Sequence, residues 1–124
     1  MTKTAPHSDK IIVLLTGNAV LAIDIEEALS SIGYAAFYHY GYDLKKLKTA
    51  DAHSFDAAIV DLRFWDTQSR QALDWLTAKK IPTIVVSTAE KPDATHTPGV
   101  VASFSIPLCV DSMLPSVVAA AEKR

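Results

Sequence analysis

Hydroxyl and carboxylate side chains that can take part in chemistry occur where three short apolar runs of the sequence end. They are Thr16, Asp61, Ser87 and Thr88. If the apolar runs are parallel strands, their carboxyl ends share one edge of a sheet, which is where doubly wound folds bind ligands. A small polar pocket is therefore predicted at that edge. The residues leave two interpretations of Asp61 open: a chemically active carboxylate, or one that accepts hydrogen bonds from nearby backbone N–H groups.

The tripeptide Thr16-Gly17-Asn18 also has two interpretations. It either caps the helix that follows or forms an anion-binding loop like those of flavin-binding folds, because free N–H groups at a helix start attract anions. Only one glycine supports such a loop. The residues therefore favour the cap over a flavin or anion site.

No familiar catalytic pattern occurs in the sequence. It has no Ser-His-Asp order, G-x-S-x-G elbow, phosphate-binding Walker loop or H-E-x-x-H element. The neighbouring Glu26 and Glu27 fall on the surface of one predicted helix, and Cys109 has no C-x-x-C partner. We therefore predict that the chain is not an enzyme and that it uses no cofactor.

The composition is that of an ordinary globular protein. The 124 residues are 49% hydrophobic and 21% charged, which suits one domain with one core. Twelve basic and 14 acidic residues give a net charge of -2, and no basic run exceeds two residues, so nucleic acid is not an expected partner. One cysteine, no long apolar segment and no signal sequence predict a cytoplasmic protein without a membrane partner.

Short apolar runs alternate with amphipathic segments, which predicts parallel strands joined by crossover helices. Residues 1–9 are expected to be a flexible leader, and residues 10–124 to form a single domain. Several runs are almost continuously apolar, so the sheet should be covered on both faces. The predicted strands are Ile11 to Leu15, Ala35 to Tyr38, Ala57 to Asp61, Thr83 to Ser87 and Val101 to Ser105.

Four helices are predicted between and after these strands. The apolar residues from Leu21 to Ile32 recur at helical spacing, with Gly33 as the stop signal. The others are a helix starting at Asp43, a helix from Thr67 to Lys80, and a last helix from about Asp111 with Pro115 in or near its first turn. The segment Ala89 to Gly99 contains two prolines and no apolar stripe, so the fourth crossover should have a short helix or none.

From residue 10 to residue 123, the sequence resembles the receiver domains of bacterial response regulators. The stretch FDAAIVDLRFW, residues 55–65, is similar to the third strand of that family and places Asp61 at its phosphoryl-accepting aspartate. IPTIVVSTAE, residues 81–90, puts Ser87 at the hydroxyl that binds the phosphoryl group, with Thr88 next. SFSIPL, residues 103–108, puts Pro107 at a proline of the family. The resemblance implies a (βα)5, doubly wound, five-stranded parallel sheet of the flavodoxin-like class.

The sequence departs from the family where the family carries its chemistry. Thr16 and Gly17 stand in place of an acidic pair that holds magnesium, and Ile106 replaces a lysine that pairs with the phosphoryl group. The family often has a Tyr or Phe that rotates on activation. This position aligns with Ser103, or with Phe104 if the alignment is shifted by one residue. Without hard-cation ligands and the counter-charge, magnesium binding and phosphotransfer to Asp61 are not expected.

These features predict an atypical, stand-alone receiver domain that acts in two-component signalling by protein–protein contact, independently of phosphorylation. The expected partner is a histidine kinase or another signalling protein, and a homodimer is also possible. The alternatives are a conventional receiver that is phosphorylated on Asp61 and a small flavin or anion binder. The predicted contact residues are Val101, Val110, Met113 and Leu114.

Overall fold

The structure is a computed structural model that describes residues 10–40, 55–61, 67–87, 99–105 and 110–123. Each of the five predicted strands is present and ends within two residues of its predicted bounds. The elements are β1 (Ile11–Thr16), α1 (Ala19–Ser31), β2 (Ala35–Tyr40), β3 (Ala57–Asp61), α2 (Thr67–Ala78), β4 (Thr83–Ser87), β5 (Val100–Ser105) and α3 (Val110–Lys123).

All five strands form one parallel sheet in the order β2-β1-β3-β4-β5. The chain runs from β1 to β2 on one side and then crosses to β3 on the other. The strand order therefore reverses between β1 and β3, the place where doubly wound sheets form a crevice at their carboxyl ends. This topology confirms the predicted α/β class.

Two apolar cores lie on opposite faces of the sheet, because successive side chains of a strand point to opposite sides. On one face, Ile12 and Leu14 of β1 pack with residues of α1 and α3. On the other face, Val13 and Leu15 pack with residues of α2. Each such side chain contributes about 1.5–3 kcal/mol when fully buried. The two cores fix the strands whose ends carry the candidate site.

Helix α1 begins and ends where the sequence predicts. Asn18 is extended, and its side chain accepts a hydrogen bond from the N–H of Leu21. After the helix, Gly33 adopts a left-handed φ of 84°, which glycine tolerates without steric cost. The N–H of Tyr34 donates to the carbonyl of Leu29 at 3.0 Å and closes the helix end. Gly33 therefore acts as the predicted stop.

Helix α2 ends at Ala78, two residues before the predicted Lys80. Lys80 has a left-handed φ of 62°, and the N–H of Ile81 donates to the carbonyl of Leu76 at 3.0 Å. A left-handed residue cannot continue a right-handed helix, so Lys80 belongs to the turn.

Helix α3 corrects the expectation about Pro115. The helix begins at Val110, so Pro115 is its sixth residue and lies beyond the first turn. Proline has no N–H to donate to the carbonyl four residues earlier. The helix nevertheless continues, because Met113 and Val117 on either side of Pro115 are fully buried against the sheet.

Other predictions fall outside the described residues. These are the leader over residues 1–9, the helix that starts at Asp43 and the part of the fourth crossover before Gly99. Among the helices of the described ranges, none is long and apolar enough to cross a membrane.

Candidate functional site

The carboxyl edge of the sheet holds Thr16, Asp61 and Ser87 at the ends of β1, β3 and β4. These strands are neighbours, with β3 in the middle. Thr16 is 0% exposed and Asp61 is 1% exposed, whereas Ser87 is half-buried. Thr88, the remaining predicted member of the pocket, lies outside the described residues.

A short hydrogen bond joins the two buried side chains. The Thr16 hydroxyl donates to Oδ2 of Asp61 at 2.7 Å. A buried carboxylate is costly without a partner, and a hydrogen bond to a charged group typically contributes about 1.5–3 kcal/mol. Sequence analysis missed this bond. The strand order could have indicated it, because Leu15 pairs with Val60 and the next residues along the two strands are Thr16 and Asp61.

The bond to Asp61 is the first link of a series that reaches helix α1. The Thr16 hydroxyl oxygen accepts from the N–H of Asn18 at 3.0 Å, and Oδ1 of Asn18 accepts from the N–H of Leu21 at 3.0 Å. We call Asp61, Thr16, Asn18 and Leu21 the strand-end hydrogen-bond chain. The Asn18 carbonyl also accepts from the N–H of Ala22 at 3.0 Å. These N–H groups are therefore already bonded within the protein, which favours the helix cap over the anion-binding loop.

The residues at the predicted magnesium positions do not fit that ion. Magnesium requires hard oxygen ligands, usually carboxylates, in nearly octahedral geometry. Gly17 offers no side chain, and the neutral Thr16 hydroxyl is engaged with Asp61. Within the described part of the chain, no group of three or more His, Cys, Asp or Glu residues is placed to hold a metal. A Cβ atom built on Gly17 would meet nothing within 4 Å, so a larger side chain has room there.

The remaining family positions lie in β5 and in the residues that follow it. Ile106 and Pro107 lie outside the described residues. That Ile106 stands at the position of the family lysine therefore stays a prediction from the sequence. At the two candidate switch positions, Ser103 is exposed and Phe104 is half-buried against the core shared with α1 and α3.

The predicted contact surface needs a correction at Met113. Its side chain is 0% exposed and belongs to the core, so it is not available to a partner. Val110 and Leu114 are half-buried and pack against the same core. The helical stripe that the sequence shows on α3 therefore faces the sheet. Val101 is different, because it is 55% exposed at a register irregularity between β4 and β5.

Helix α1 exposes two apolar side chains that sequence analysis did not single out. Val20 is 69% exposed and Ile23 is 54% exposed, one helical turn apart. The signal was present in the sequence, because both residues lie off the inward stripe formed by Ala22, Ile25 and Leu29. Asp24 and Glu27 are exposed on the same helix.

A second polar contact, which is partly buried, lies away from the candidate site. The Tyr34 hydroxyl donates to Oε2 of Glu122 at 3.2 Å and connects the start of β2 to the end of α3. Burial of the phenol, reinforced by the hydrogen bond to Glu122 and its negative charge, raises the pKa of Tyr34 to about 12. This contact holds two elements together and carries none of the predicted chemistry.

Comparison with known proteins finds similarity at the level of structure. No family model matches the sequence, and no curated protein matches it significantly. A response regulator receiver protein from Burkholderia phymatum superposes with a TM-score of 0.78 at 19% identity, over 91% of this chain and 95% of that one. A CheY-like receiver domain protein from Methanospirillum hungatei gives 0.77 at 15% identity, over 92% and 94%. An orphan response regulator of H. pylori gives 0.71 at 17% identity, over 94% and 99%.

These structures superpose over almost the whole chain with TM-scores above 0.7 at low sequence identity. The resemblance inferred from the sequence is thereby confirmed for the fold. The chain has the fold of a response regulator receiver domain.

Proposed function

We propose that this protein is an atypical receiver domain of two-component signalling, which acts by protein–protein contact and does not depend on phosphorylation of Asp61. The observation that carries this proposal is the buried hydrogen bond from Thr16 to Asp61 at 2.7 Å. It supplies Asp61 with a neutral partner at the place where the sequence has lost its acidic pair.

Electrostatics argues against a stable phosphoryl group on Asp61. Phosphorylation adds about -1.5 to -2 charges, and two unit charges 4 Å apart interact by about 4 kcal/mol at an effective dielectric of ~20. A hydroxyl at Thr16 and a bare backbone at Gly17 hold no metal ion, so the added negative charge lacks an attraction of that size. Asp61 is also 1% exposed, so a phosphoryl donor has little access to its oxygens.

The exposed face of α1 is the contact surface that we assign to the partner. Val20 and Ile23 offer apolar area, and exposed carboxylates of Asp24 and Glu27 lie on the same helix. The helix contains three acidic residues and no basic one. Charge complementarity therefore favours a partner that surrounds an apolar patch with lysine or arginine side chains. Such a surface would suit a histidine kinase or another signalling protein.

A pull-down from the source cell with tagged variants tests both halves of the proposal. Asp61→Asn should retain the partners of the wild-type protein, because binding does not require a phosphoryl group. Val20→Ser with Ile23→Ser should lose them, because it removes apolar area from α1. Val101→Ser tests the exposed contact residue that the sequence predicted on β5, and it should retain the partners if α1 is the contact surface.

Intact mass after incubation with acetyl phosphate and magnesium supplies the second measurement. We expect the wild-type protein to gain no phosphoryl group. A gain that disappears in Asp61→Asn would contradict phosphorylation independence. That outcome would instead support the second candidate, a conventional receiver, which is favoured by the positions of Asp61 and Ser87 at the ends of neighbouring strands.

A further inference from the structure

We propose that Thr16 is a positioning residue that couples the buried Asp61 carboxylate to the first turn of helix α1. A change at Asp61 would then alter the exposed α1 surface, and a partner bound to α1 would in turn stabilise the bond to Asp61. This inference rests on the proposed function in treating α1 as the contact surface, and it adds a means of regulating that contact.

The coupling begins with the bonding capacity of a single hydroxyl. Its one proton goes to Asp61 at 2.7 Å, and its oxygen accepts from the N–H of Asn18 at 3.0 Å. Thr16 therefore bonds on both sides at once, and donating to a carboxylate makes its oxygen a better acceptor for Asn18. Losing the Asp61 acceptor would weaken the link to Asn18.

Gly17 adds no side-chain packing to the turn between β1 and α1. It separates Thr16 from Asn18, and a Cβ atom built on it would meet nothing within 4 Å among the described residues beyond its chain neighbours. Packing at Gly17 therefore does not fix the turn. The hydrogen bond from the N–H of Asn18 to Thr16 is the described contact that joins the cap residue to the end of β1.

Asn18 passes this constraint to the helix through two acceptors. Its side chain accepts from Leu21 and its carbonyl accepts from Ala22. The first turn carries Val20, which is 69% exposed, whereas Leu21 packs against the core and Ala22 is buried in it. A displaced cap would therefore weaken the hydrogen bonds at Leu21 and Ala22 and shift Val20, while the buried side chains of Ala22, Ile25 and Leu29 keep the helix on the sheet.

Amide hydrogen exchange measured by NMR on the full chain tests this coupling. Thr16→Val keeps the shape of the side chain and removes both the donor to Asp61 and the acceptor for the N–H of Asn18. We expect exchange at Leu21 and Ala22 to rise about fivefold or more relative to Leu29 in the same helix, the effect of losing an N-cap contact. Thr16→Ser keeps a hydroxyl, so the amides of Leu21 and Ala22 should retain most of their wild-type protection from exchange.

Thr83→Val is a matched control for the loss of stability. Thr83 is also fully buried and its hydroxyl donates to the carbonyl of Ile81 at 2.9 Å, but it lies at the opposite end of the sheet. This variant should leave the ratio between Leu21 and Leu29 unchanged. Asp61→Asn offers a neutral acceptor in place of the carboxylate and should give a smaller increase than Thr16→Val.

An unchanged ratio in Asp61→Asn would overturn the coupling, whatever Thr16→Val shows, and so would an equal change in Thr83→Val. If Thr16→Val does not fold, Asp61→Asn and Thr16→Ser still decide the question through the same ratio. The exchange measurement needs no partner. A changed ratio together with a failed pull-down would therefore remove the proposed contact surface and leave the coupling intact.

Discussion

The Thr16 hydroxyl has one proton to donate, and in this protein it donates to Asp61. In the proposed function, this bond favours a resting carboxylate at Asp61 over a phosphorylated one. A neutral donor satisfies a resting carboxylate, but it brings no charge to offset a phosphoryl group. The identity of residue 16 thus matters as much for the chemistry of this edge as Asp61 itself.

Gly99 provides a test of backbone conformation at the level of one residue. It has a left-handed φ of 93°, and a Cβ atom there would lie 2.8 Å from Cγ2 of Thr77 and 2.9 Å from its Cβ. We expect Gly99→Ala to lower the free energy of unfolding by roughly 1–3 kcal/mol, through strain and overpacking at the start of β5. Urea denaturation measures this change.

Gly17→Ala is the matched control for Gly99→Ala. A Cβ atom at Gly17 meets nothing within 4 Å, and the positive φ values among the described glycines belong to Gly33 and Gly99. Alanine at position 17 should therefore leave stability unchanged or raise it by a few tenths of a kcal/mol. Equal losses from the two substitutions would contradict the role given to Thr77.

At the scale of elements, the sequence predicts strands better than helix surfaces. A strand buried on both faces is a nearly continuous apolar run, and β3 and β4 have their predicted ends. The predicted contact residues Val110, Met113 and Leu114 follow helical spacing on α3, but periodicity alone does not say whether such a stripe meets the sheet or a partner. Met113 therefore lies in the core rather than at the predicted interface.

The contact between Tyr34 and Glu122 predicts how stability depends on pH. The pKa of Tyr34 rises from 10.0 to about 12 in the folded protein, because burial and Glu122 disfavour the phenolate. The folded state therefore holds the proton more tightly than the unfolded state. This contribution to stability is complete below pH 10 and is lost as the pH rises to about 12.

Urea denaturation at pH 8, 10 and 11 measures that loss, which should reach about 1–2 kcal/mol. Tyr34→Phe removes the titrating group and should flatten the difference between these pH values. Glu122→Gln keeps an acceptor but removes the charge, so it should reduce the slope only in part. A slope that is the same in Tyr34→Phe and in the wild-type protein would assign the effect to other groups.

For the whole molecule, alternation of apolar runs and amphipathic segments was enough to predict the parallel sheet and its fold class. The candidate site was only partly predictable. The sequence places Thr16, Asp61 and Ser87 at strand ends, but the Thr16 hydroxyl bond depends on register and rotamer, which no residue pattern specifies. The exposure of Val20 and Ile23 likewise depends on how α1 is rotated against the sheet.

The thermal stability of the whole domain should report whether magnesium binds at this edge. The melting temperature of the wild-type protein should not change in millimolar magnesium, because residues 16 and 17 supply no carboxylates. Thr16→Asp with Gly17→Asp should melt at a lower temperature without metal, since three carboxylates then repel one another, and should regain stability when magnesium binds the folded state. Thr16→Val with Gly17→Ala changes the same positions without adding charge and should not respond to magnesium. Calorimetry at constant ionic strength measures these shifts, and a magnesium-dependent rise in the wild-type protein that Asp61→Asn abolishes would show that Thr16 does not replace the ion.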